Sequence, residues 1–554
     1  MTASKMPEQF EYRWVYVTGN LQVNENVERV ISIMKRAKNA GYNGIVLADF
    51  KLSILDRVPK QYFENIEKVK QAAKQLELDI YPPVFSIGYS EGLLSHDPNL
   101  VEGLPVYDAI FVARERYAEL AKEEQPLPKN LDFEEATGDK FAGWEFQDDI
   151  GLSTFADSRI VHHGARSLRM ENIGQVNPHG NARVHQLVEV KPWKQYHISV
   201  WIKTENFDRA GNARIAVLTR EGKSLDFTSL GVRPTQDWKE HHVVFNSRDN
   251  TSVRIYFGVW GGNNGKIWWD DARMEQVGLL NVIRREGCPL TVRSESGIEY
   301  VEGRDFETVI DERMGTVPWP GGYEVYHEPP RLRLTPNSRI KQGERLKVSF
   351  YHAITVYQGQ VCICLSEPKT YSLLQQELSN VKNVLDPKGY FMSHDEIRVA
   401  NWCKTCIARK LTPGQLLADN VKRCIEMIRS ASPNARVFVW SDMFDPYHNA
   451  RGDYYLVNGS WEGSWLGLPK EVIIVNWNFV ERKKSLPFFA SRGHKQILAG
   501  YYDGEVESIK KWLEDAASVS GVVGVMYTTW RGDYSNLEAF AKAAWGTVER
   551  REAR

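Results

Sequence analysis

The sequence predicts an α/β fold, a (β/α)8 barrel of the TIM type that is interrupted by an inserted antiparallel β-sandwich. Two rhythms along the 554 residues support this prediction. At both ends of the chain, apolar runs with strand character alternate with amphipathic helical stretches, which is typical of parallel βα units. Between them, apolar and polar residues alternate with period two, as they do in half-buried antiparallel strands.

The first three βα units lie within the first 85 residues. Their predicted strands read "RWVYVTG", "NGIVLADF" and "LDIYPPVF". Apolar residues recur at helical spacing from Val27 to Ala37, and Gly41 offers a stop. A second helical face runs from Ile66 to Leu76. We therefore assign residues 1–127 to the first part of the barrel.

Five further units are predicted in residues 389–554, the second part of the barrel. Their strands read "GYFMSHDE", "ARVFVWSD", "EVIIVNWN", "QILAGYYD" and "GVVGVMYTTW". A helix is predicted over residues 413–430, because Thr412 can cap it and Pro413 suits its first turn. Three early and five late strands add up to the eight of a barrel, whose site lies at the C-terminal strand ends.

The inserted sandwich is predicted over residues 128–278. Period-two alternation is clear in "YHISVWIK" and "SVRIYFGVWG", and Gly, Asn and Asp turns separate such runs. Residues 279–388 are predicted as a β-rich accessory or connecting segment. The run "RLKVSFYHA" within it is left without a place in the fold.

Composition narrows the classes of partner. A net charge of -1 argues against nucleic acid or an anionic membrane as a partner held by bulk electrostatics. No run of 18 apolar residues is present, so no membrane span is predicted. The 17 Trp and 24 Tyr residues suit sugar faces, although core positions are their default. The first residues have no apolar run of the signal-peptide kind, so the protein is either cytoplasmic or secreted with its signal already removed.

The six cysteines are too few for a disulfide scaffold. Cys362 with Cys364, and Cys403 with Cys406, could together offer four thiolates to zinc, as in a zinc-dependent hydrolase. No loop pattern typical of zinc sites surrounds either pair. Ordinary buried or partly exposed thiols are therefore the preferred interpretation.

Two adjacent acids, Asp395 and Glu396, follow the strand "GYFMSH". At a barrel strand end their carboxylates would point into the mouth of the barrel, where glycosidases place acids that protonate a leaving oxygen. Acids at a helix N-terminus are the alternative, because the helix dipole favours them. Four further strand ends carry residue types of sugar sites, which favours the catalytic interpretation.

The strand-end series "SHDE", "VWSD", "VNWN", "GYYD" and "YTTW" resembles strands 4 to 8 of family 20 glycoside hydrolases, the β-N-acetylhexosaminidases. The resemblance implies that Glu396 is the general acid/base. It also implies that Asp395 holds the substrate's 2-acetamido group, whose carbonyl oxygen attacks the anomeric carbon in a substrate-assisted retaining mechanism. No cofactor is implied for catalysis. The substrate-binding residues that this resemblance implies are His394, Trp440, Trp477, Tyr501, Asp503, Trp530 and Asp533.

The sequence departs from this family at three places. "YFMSH" stands where the family has His-x-Gly-Gly, and strand 1 lacks the arginine-rich signature, although Arg13 is nearby. "TTWRGD" replaces Trp-x-Glu, which leaves Asp533 as a substitute. These departures affect the identity of the sugar more than the class of reaction.

Two alternatives to substrate assistance stay open. Asp442 could serve as the second carboxylate of a conventional β-glycosidase or glucanase, as a nucleophile or as a base. It could equally be a strand-end aspartate that holds the following loop. The other alternative is a glycan-binding protein without catalysis, which the missing glycines favour.

The predicted sandwich also carries a resemblance. "NLDFEEATGDKFAGWEF", "HHGARSLRM" and "KIWWDDARMEQV" are similar to the start, middle and end of family 4 carbohydrate-binding modules. This implies an oligo- or polysaccharide as partner, and a structural calcium shared by Glu134 and Asp271, since hard oxygen ligands suit that ion. Surface turn acids and a purely structural sandwich are the alternatives.

Overall fold

A computed structural model describes residues 10–122 and 128–546. These residues divide into two compact units. The first contains residues 10–100, 362–401 and 406–546, and the second contains residues 101–122, 128–361 and 402–405. Residues 123–127, where the predicted boundary between barrel and sandwich falls, lie outside the described residues.

A barrel-like sheet of nine parallel strands forms the core of the first unit. The strands at its two ends, Asp79–Tyr81 and Pro83–Val84, are separated in the chain by Pro82 alone. The predicted early and late strands therefore lie in one parallel sheet. Its order is Asp79–Tyr81, Gly44–Ala48, Tyr12–Thr18, Val522–Tyr527, Gln496–Ala499, Ile473–Asn476, Arg436–Trp440, Gly389–Met392 and Pro83–Val84.

Amphipathic helices connect these strands. The helix Asn24–Asn39 buries Val27, Val30 and Met34 at helical spacing, as predicted. In the helix Pro413–Ala431, the Thr412 hydroxyl accepts the Gln415 N–H in a capping box, which confirms the predicted start. The remaining α-helices of this part of the chain are Lys60–Gln75, Glu91–Leu94, Pro368–Leu385, Lys404–Ala408, Arg482–Ser491, Ser508–Ala516 and Leu537–Trp545.

Shorter elements complete the first unit. Val399–Ala400 and Leu456–Val457 form a separate parallel pair. Turns of 3₁₀-helix occur at Phe50–Ile54, Pro98–Leu100, Asp442–Phe444 and Ser464–Gly467. One of them begins at the predicted site residue Asp442, directly after a strand of the parallel sheet.

Aromatic side chains fill the interior of the parallel sheet. Trp14, Tyr81 and Phe438 belong to one buried cluster, and the rings of Trp14 and Phe438 meet edge to face at 4.7 Å. The cluster extends to Trp440 at the C-terminal end of its strand. The interior is therefore a packed core, and the C-terminal strand ends lie above it.

Two antiparallel sheets form the sandwich of the second unit. The five-stranded sheet has the order Thr154–Asp157, Ser167–Met170, Lys266–Val277, Gln195–Glu205 and Gln236–Asn246. The four-stranded sheet has the order Ala213–Leu218, Ser252–Trp260, Asn181–Glu189 and Phe146–Gln147. One buried cluster, which runs from Phe133 to Ala272, packs between these sheets. Smaller elements are the strand pair Ala136–Thr137 and Lys140–Phe141, the helix Ile173–Val176 and the 3₁₀ turn Ala210–Asn212.

A six-stranded sheet accompanies the sandwich in the second unit. Arg345–Ala353, the run that the sequence could not place, pairs antiparallel with Gly103–Ala113. The order of the sheet is Glu299–Tyr300, Thr291–Ser294, Arg345–Ala353, Gly103–Ala113, Tyr117–Leu120 and Leu332–Arg333.

The division into units differs from the predicted domains at three places, one of which is residues 402–405, assigned to the barrel but part of the second unit. Gly103–Ala113 was assigned to the barrel, but its hydrogen-bonding partner is Arg345–Ala353, so it belongs to the second unit. The helix Pro368–Leu385 was assigned to the accessory segment but belongs to the first unit. Among the described helices, none combines the length and the apolar character that crossing a bilayer requires.

Candidate functional site

The loop after one parallel strand presents Asp395 and Glu396. Ser393 donates its N–H to the Val84 carbonyl at 2.8 Å, so the loop starts in register with the neighbouring strand. Gly88 packs against the loop so closely that a Cβ there would lie 1.9 Å from the Asp395 carbonyl oxygen. Glu396 has a left-handed φ of 49°. The close approach of Gly88 and this turn of the backbone together set the direction of both acids.

The carboxylate of Glu396 contacts two side chains, Arg398 and Tyr89. One carboxylate oxygen lies 2.6 Å from an Nη of Arg398 and accepts a hydrogen bond from the Tyr89 hydroxyl. Arg398 is only 4% exposed, donates to the Tyr89 oxygen at 3.2 Å and lies 5.0 Å from the Tyr455 ring. A buried guanidinium at this distance stabilises negative charge on Glu396.

Asp442 is fully buried beneath the pair. Its Oδ2 accepts the Glu396 N–H at 2.9 Å and an amide N–H of Asn449 at 2.9 Å. Its Oδ1 accepts the indole N–H of Trp477 at 3.3 Å. Burial raises the pKa of Asp442 to about 7, although these donors oppose the shift. The contacts give Asp442 a role in holding the Glu396 backbone.

The pKa of Asp395 is raised further than that of Asp442. Burial raises its pKa to about 8, and the neighbouring charges of Asp442 and Glu396 act in the same direction. The side chain is half-buried, whereas Asp442 is fully buried. Asp395 therefore carries a proton at neutral pH and lies where a ligand could receive it.

Aromatic rings stand beside these acids. Tyr502 stacks on Trp477 with ring centroids 5.2 Å apart and planes 6° apart. Trp530 is 47% exposed and contacts Tyr502, Tyr16 and Trp440 at centroid distances of 5.8, 5.2 and 5.9 Å. Exposed rings next to carboxyl groups are the surface that a sugar ring stacks on.

The structure separates the two tyrosines of "GYYD". Tyr501 is buried, stacks on Tyr527 at 4.3 Å and accepts a hydrogen bond from Asn536 at 2.9 Å. Its neighbour Tyr502 lies in the aromatic wall instead. The strand Gln496–Ala499 ends before them, so strand alternation no longer fixes their directions.

Asp503 acts on the loop that carries Trp530. Its carboxylate accepts the Trp530 N–H at 2.6 Å, the Arg531 N–H at 3.2 Å and the Thr529 hydroxyl. These bonds fix the backbone on which the exposed indole stands. Asp503 thus positions an element of the aromatic wall.

Two predicted residues lie apart from the acids and rings. His394 is buried, with Nε2 3.0 Å from the Asn420 side-chain oxygen, and burial lowers its pKa to about 4. Asp533 is exposed and accepts the Ser535 N–H at 2.8 Å within its own turn. His394 supports the loop from behind, and Asp533 caps a surface turn.

Sequence reasoning missed several residues of this site. Arg398 stands only two positions after Glu396, in "DEIR", and that spacing could have drawn attention to it. Tyr89 is 307 positions from Glu396 in the chain, so no local pattern connects them. The positions of Tyr16 and Asn449 in the site are likewise set by the fold, and no local sequence pattern indicates them.

A second candidate surface lies on the outer face of the four-stranded sheet. His185 stacks on Phe146 at 5.1 Å and contacts Tyr256 at 4.6 Å, and Tyr256 contacts Trp260 at 6.0 Å. The Arg183 guanidinium lies 5.8 Å from the Phe146 ring and 5.9 Å from that of Trp260. A row of rings on an open sheet face is a surface suited to a saccharide chain.

The carboxylates of the predicted calcium pair, Glu134 and Asp271, each contact other groups of the sandwich. Both carboxylate oxygens of Glu134 accept the Ala165 N–H, at 2.9 and 3.0 Å. Asp271 lies 3.2 Å from an Nη of Arg273. Within the described ranges, no group of three or more His, Cys, Asp or Glu ligands includes Glu134 or Asp271. Each carboxylate oxygen has more than one lone pair, so these contacts leave the calcium at Glu134 and Asp271 a prediction.

All six cysteines are buried, and none of them forms a disulfide. Cys364 and Cys406 belong to the first unit, where their sulfur atoms lie 3.5 Å apart. Cys403 belongs to the second unit, where its N–H donates to Glu102 at 2.9 Å. Their burial agrees with ordinary thiols, and the zinc alternative stays a prediction without a test.

Comparison with known proteins identifies the sandwich. Residues 125–266 match the family described as "Carbohydrate binding domain". The sandwich is a carbohydrate-binding domain. The matched range covers nearly all of the strands of both sandwich sheets, including the face with His185 and Tyr256. The sequence has no significant match among curated proteins.

Three similar solved structures illustrate the likeness. A "Family 16 Carbohydrate Binding Module-2" is 16% identical over 24% of this chain and 91% of its own, with a TM-score of 0.20. The CBM22-1 xylan-binding domain of Xyn10C from Paenibacillus barcinonensis is 14% identical over 28% and 98%, with a TM-score of 0.21. A rhamnosidase from Novosphingobium sp. PP1Y is 9% identical over 94% of this chain and 55% of its own, with a TM-score of 0.31.

Proposed function

We propose that the protein is a glycoside hydrolase whose parallel sheet is a (β/α)8 barrel and whose reacting groups are Asp395 and Glu396. One observation carries this proposal: a half-buried carboxyl with its pKa raised to about 8 stands next to a carboxylate that is ion-paired at 2.6 Å. Hydrolysis of a glycosidic bond uses two carboxyl groups, one that gives a proton to the leaving oxygen and one that faces the positive charge at the anomeric carbon. The carbohydrate-binding domain supports a glycan as the substrate.

The contacts favour a definite division of roles. Asp395, protonated at neutral pH, donates a proton to the leaving oxygen. Glu396, whose negative charge Arg398 stabilises, faces the positive charge that develops at the anomeric carbon. Trp477, Tyr502 and Trp530 offer apolar faces for the sugar.

The resemblance to β-N-acetylhexosaminidases implies the reverse assignment. There Glu396 gives the proton and Asp395 holds the acetamido group of the substrate. The ion pair between Glu396 and Arg398 opposes that assignment, because a cation favours the charged form of the acid. A β-N-acetylhexosaminidase with substrate assistance is therefore kept as the alternative proposal, and the first test below addresses it.

The conventional mechanism with Asp442 has less support. Asp442 is fully buried, and Glu396, Asn449 and Trp477 already donate hydrogen bonds to it. We propose that Asp442 positions Glu396 and does not touch the substrate. Glu396 and Asp395 would then be the two carboxyl groups of a conventional β-glycosidase or glucanase.

Paired aryl glycosides test these proposals. Each β-glycoside is prepared with and without a 2-acetamido group, and with a good or a poor leaving group. If Asp395 is the acid, Asp395→Asn loses about 10²-fold or more on poor leaving groups and much less on good ones, which need no proton. Glu396→Gln then loses rate on both.

Other outcomes of this screen are equally informative. If Glu396→Gln is the variant that spares good leaving groups, and only acetamido sugars are cleaved, the substrate-assisted assignment is correct. If wild type cleaves none of the glycosides but still binds glycan, the protein is a glycan receptor without catalysis. Asp533→Asn is the matched control. Asp533 is an exposed acid in a loop that follows another strand of the same parallel sheet, and it hydrogen-bonds within its own turn.

We also propose that the ring-lined face of the sandwich is where the carbohydrate-binding domain holds its glycan. Tyr256 lies in the middle of that row of rings, between His185 and Trp260. For a polysaccharide that the wild type binds, Tyr256→Ala should lower the affinity by about 10-fold or more, because stacking of the sugar on the ring is lost. Retention of full affinity by this variant would place the glycan elsewhere.

A further inference from the structure

The outer face of the four-stranded sheet contains arginines in defined register. Arg183 and Arg214 both lie opposite Gly258, one on each neighbouring strand. Residues directly opposite in antiparallel strands share a face. The two arginine side chains therefore flank a position that has no side chain.

Gly258 cannot be replaced without moving the backbone. A Cβ at this position would lie 2.5 Å from the Ala182 carbonyl oxygen and 2.7 Å from the Arg183 Cα. The close approach of the Ala182–Arg183 backbone and of the Arg183 side chain therefore requires a glycine at this position of the sheet.

A further arginine stands on the other side of the central ring. Arg254, Tyr256 and Gly258 alternate along one strand and so point to the same face. Arg254 lies opposite Leu187 and Leu218 on the two neighbouring strands. The tyrosine ring is thus bordered along its strand by Arg254 on one side and by the Arg183–Gly258–Arg214 row on the other.

The arginines of this face differ in their partners. Arg183 is paired with Asp148 at 2.7 Å, and Arg220 donates to the Ser252 hydroxyl at 2.7 Å. In the part of the chain that the structure describes, neither Arg214 nor Arg254 forms an ion pair. Glu145 and Glu189 are further acids near this face, and the charge of Arg214 acts on the buried carboxyl of Asp226. This leaves Arg214 and Arg254 as the guanidinium groups of the face to which an anionic group can bind.

We propose that this face of the carbohydrate-binding domain selects an anionic saccharide, one that carries carboxylate or sulfate groups, through Arg214 and Arg254. The inference rests on the proposed glycan binding and adds its chemical class. A guanidinium offers parallel N–H donors that match a carboxylate or a sulfate, and the rings between the arginines stack on the sugar. A neutral glycan would cover these guanidinium groups without an anionic partner.

Affinity electrophoresis of the full chain tests the proposal. The gels contain polygalacturonate, a sulfated galactan or neutral xylan, at low salt and at about 150 mM salt. We expect an anionic polysaccharide to retard the wild type at both salt concentrations. Retardation by polygalacturonate points to carboxylates, and retardation by the galactan points to sulfates.

Variants then locate the contact. Arg214→Ala combined with Arg254→Ala should weaken retardation by the anionic polysaccharide about 10-fold or more, and the corresponding Lys pair should weaken it less. Arg273→Ala is the matched control, because that side chain is 74% exposed on the other sheet. A thermal melt of each variant confirms that it is folded, and the Lys pair replaces the Ala pair if that pair is not.

Failure of the anionic preference and failure of the proposed glycan binding give different results. Retardation by xylan alone, or equal losses in Arg273→Ala and the Arg214/Arg254 pair, overturns the anionic preference but leaves glycan binding standing. No retardation by any of the three polysaccharides overturns the proposed glycan binding itself, and the anionic preference with it.

Discussion

At the scale of single residues, the site depends on a backbone conformation that most side chains avoid. Glu396 has a φ of 49°, which costs of order 1 kcal/mol or more for a residue other than glycine. The Glu396 N–H donates to buried Asp442 at 2.9 Å, and Arg398 binds the carboxylate. Contacts to a buried carboxyl and a buried guanidinium therefore hold a conformation that the local sequence does not favour.

Asp395 should make the protein less stable as the pH rises. Because its folded pKa is about 8 and its ordinary value is 3.8, the folded state keeps a proton that the unfolded state releases. The free energy of unfolding then falls as the pH rises from about 4 to about 8. Asp395→Asn removes this dependence, so its melting temperature should exceed that of the wild type at pH 7.5 and approach it at pH 4.

Thermal unfolding between pH 4 and pH 8 measures this difference. The control is Asp533→Asn, whose exposed carboxyl lies in a surface turn, and which should follow the wild type. Parallel curves of melting temperature against pH for wild type and Asp395→Asn would contradict the raised pKa. A gain in stability with a loss of turnover is the pattern expected of a functional group.

The activity of the wild type should depend on the same proton. If Asp395 donates it, kcat/KM falls as the pH rises above about 8, because the free enzyme loses its acid. The fall should be weaker for aryl glycosides with good leaving groups. A profile that is flat to pH 10 on poor leaving groups would show that another group is the acid.

At the scale of strands and loops, the sequence predicted the elements best where the pattern that indicates them is local. Strand runs and the capped helix Pro413–Ala431 could be read directly, because burial and capping act over a few residues. The strand Gly103–Ala113 was misplaced because its partner is remote: Asp108 and Ser349, which hydrogen-bond each other, are 241 positions apart. Tyr501 and Tyr502 could not be told apart, since a left-handed φ at Tyr502 follows the end of the strand.

Removing the Asp503 carboxylate should loosen the loop that carries Trp530. Asp503→Ala deletes the acceptor of the Trp530 and Arg531 N–H groups, which costs roughly 1–3 kcal/mol locally. We expect KM to rise several-fold with a smaller change in kcat, because the ring binds the sugar but does not react. Steady-state kinetics on an aryl glycoside measure both quantities.

Asp533→Ala is the matched control for that loop. It removes an acid from the same segment, but one that accepts hydrogen bonds from Ser535 within its own turn. It should leave KM within about 2-fold of the wild type, as expected for a surface substitution. Equal effects of the two substitutions would mean that Asp503 has no special role in placing Trp530.

Chelation tests the predicted calcium at Glu134 and Asp271. Protein N–H groups already occupy Glu134, and Arg273 lies beside Asp271. These contacts leave the site untested. If calcium joins the two residues, EGTA should lower the melting temperature of the protein, since a ligand that binds the folded state stabilises it. A melting temperature that EGTA leaves unchanged would contradict the calcium prediction.

At the scale of the whole molecule, the carbohydrate-binding domain has its own core. The buried cluster from Phe133 to Ala272 lies entirely within the predicted sandwich, residues 128–278. A segment with its own core can fold alone. In the second unit, Asn246 donates to the Pro105 carbonyl at 2.9 Å, a bond that the isolated sandwich would lose.

We expect residues 128–278, expressed alone, to unfold in one cooperative transition. The longer fragment 101–361 keeps the bond from Asn246 to Pro105 and should melt at a higher temperature. Near-UV circular dichroism and thermal melts of both fragments provide the measurement. A short fragment that binds a hydrophobic dye and lacks near-UV signal would show that the sandwich needs the accessory sheet.

The position of the insertion also affects how the chain is made. The strand Pro83–Val84 pairs with Gly389–Met392. The hydroxyl of Tyr89 donates to Glu396, which lies 307 positions later in the chain. At about 5–20 residues per second, a ribosome needs roughly 15–60 s to cover that distance. During this interval the early strands of the nascent chain have edges without partners, and unpaired edges are where chains aggregate. Slower elongation through the sandwich would prolong that exposure.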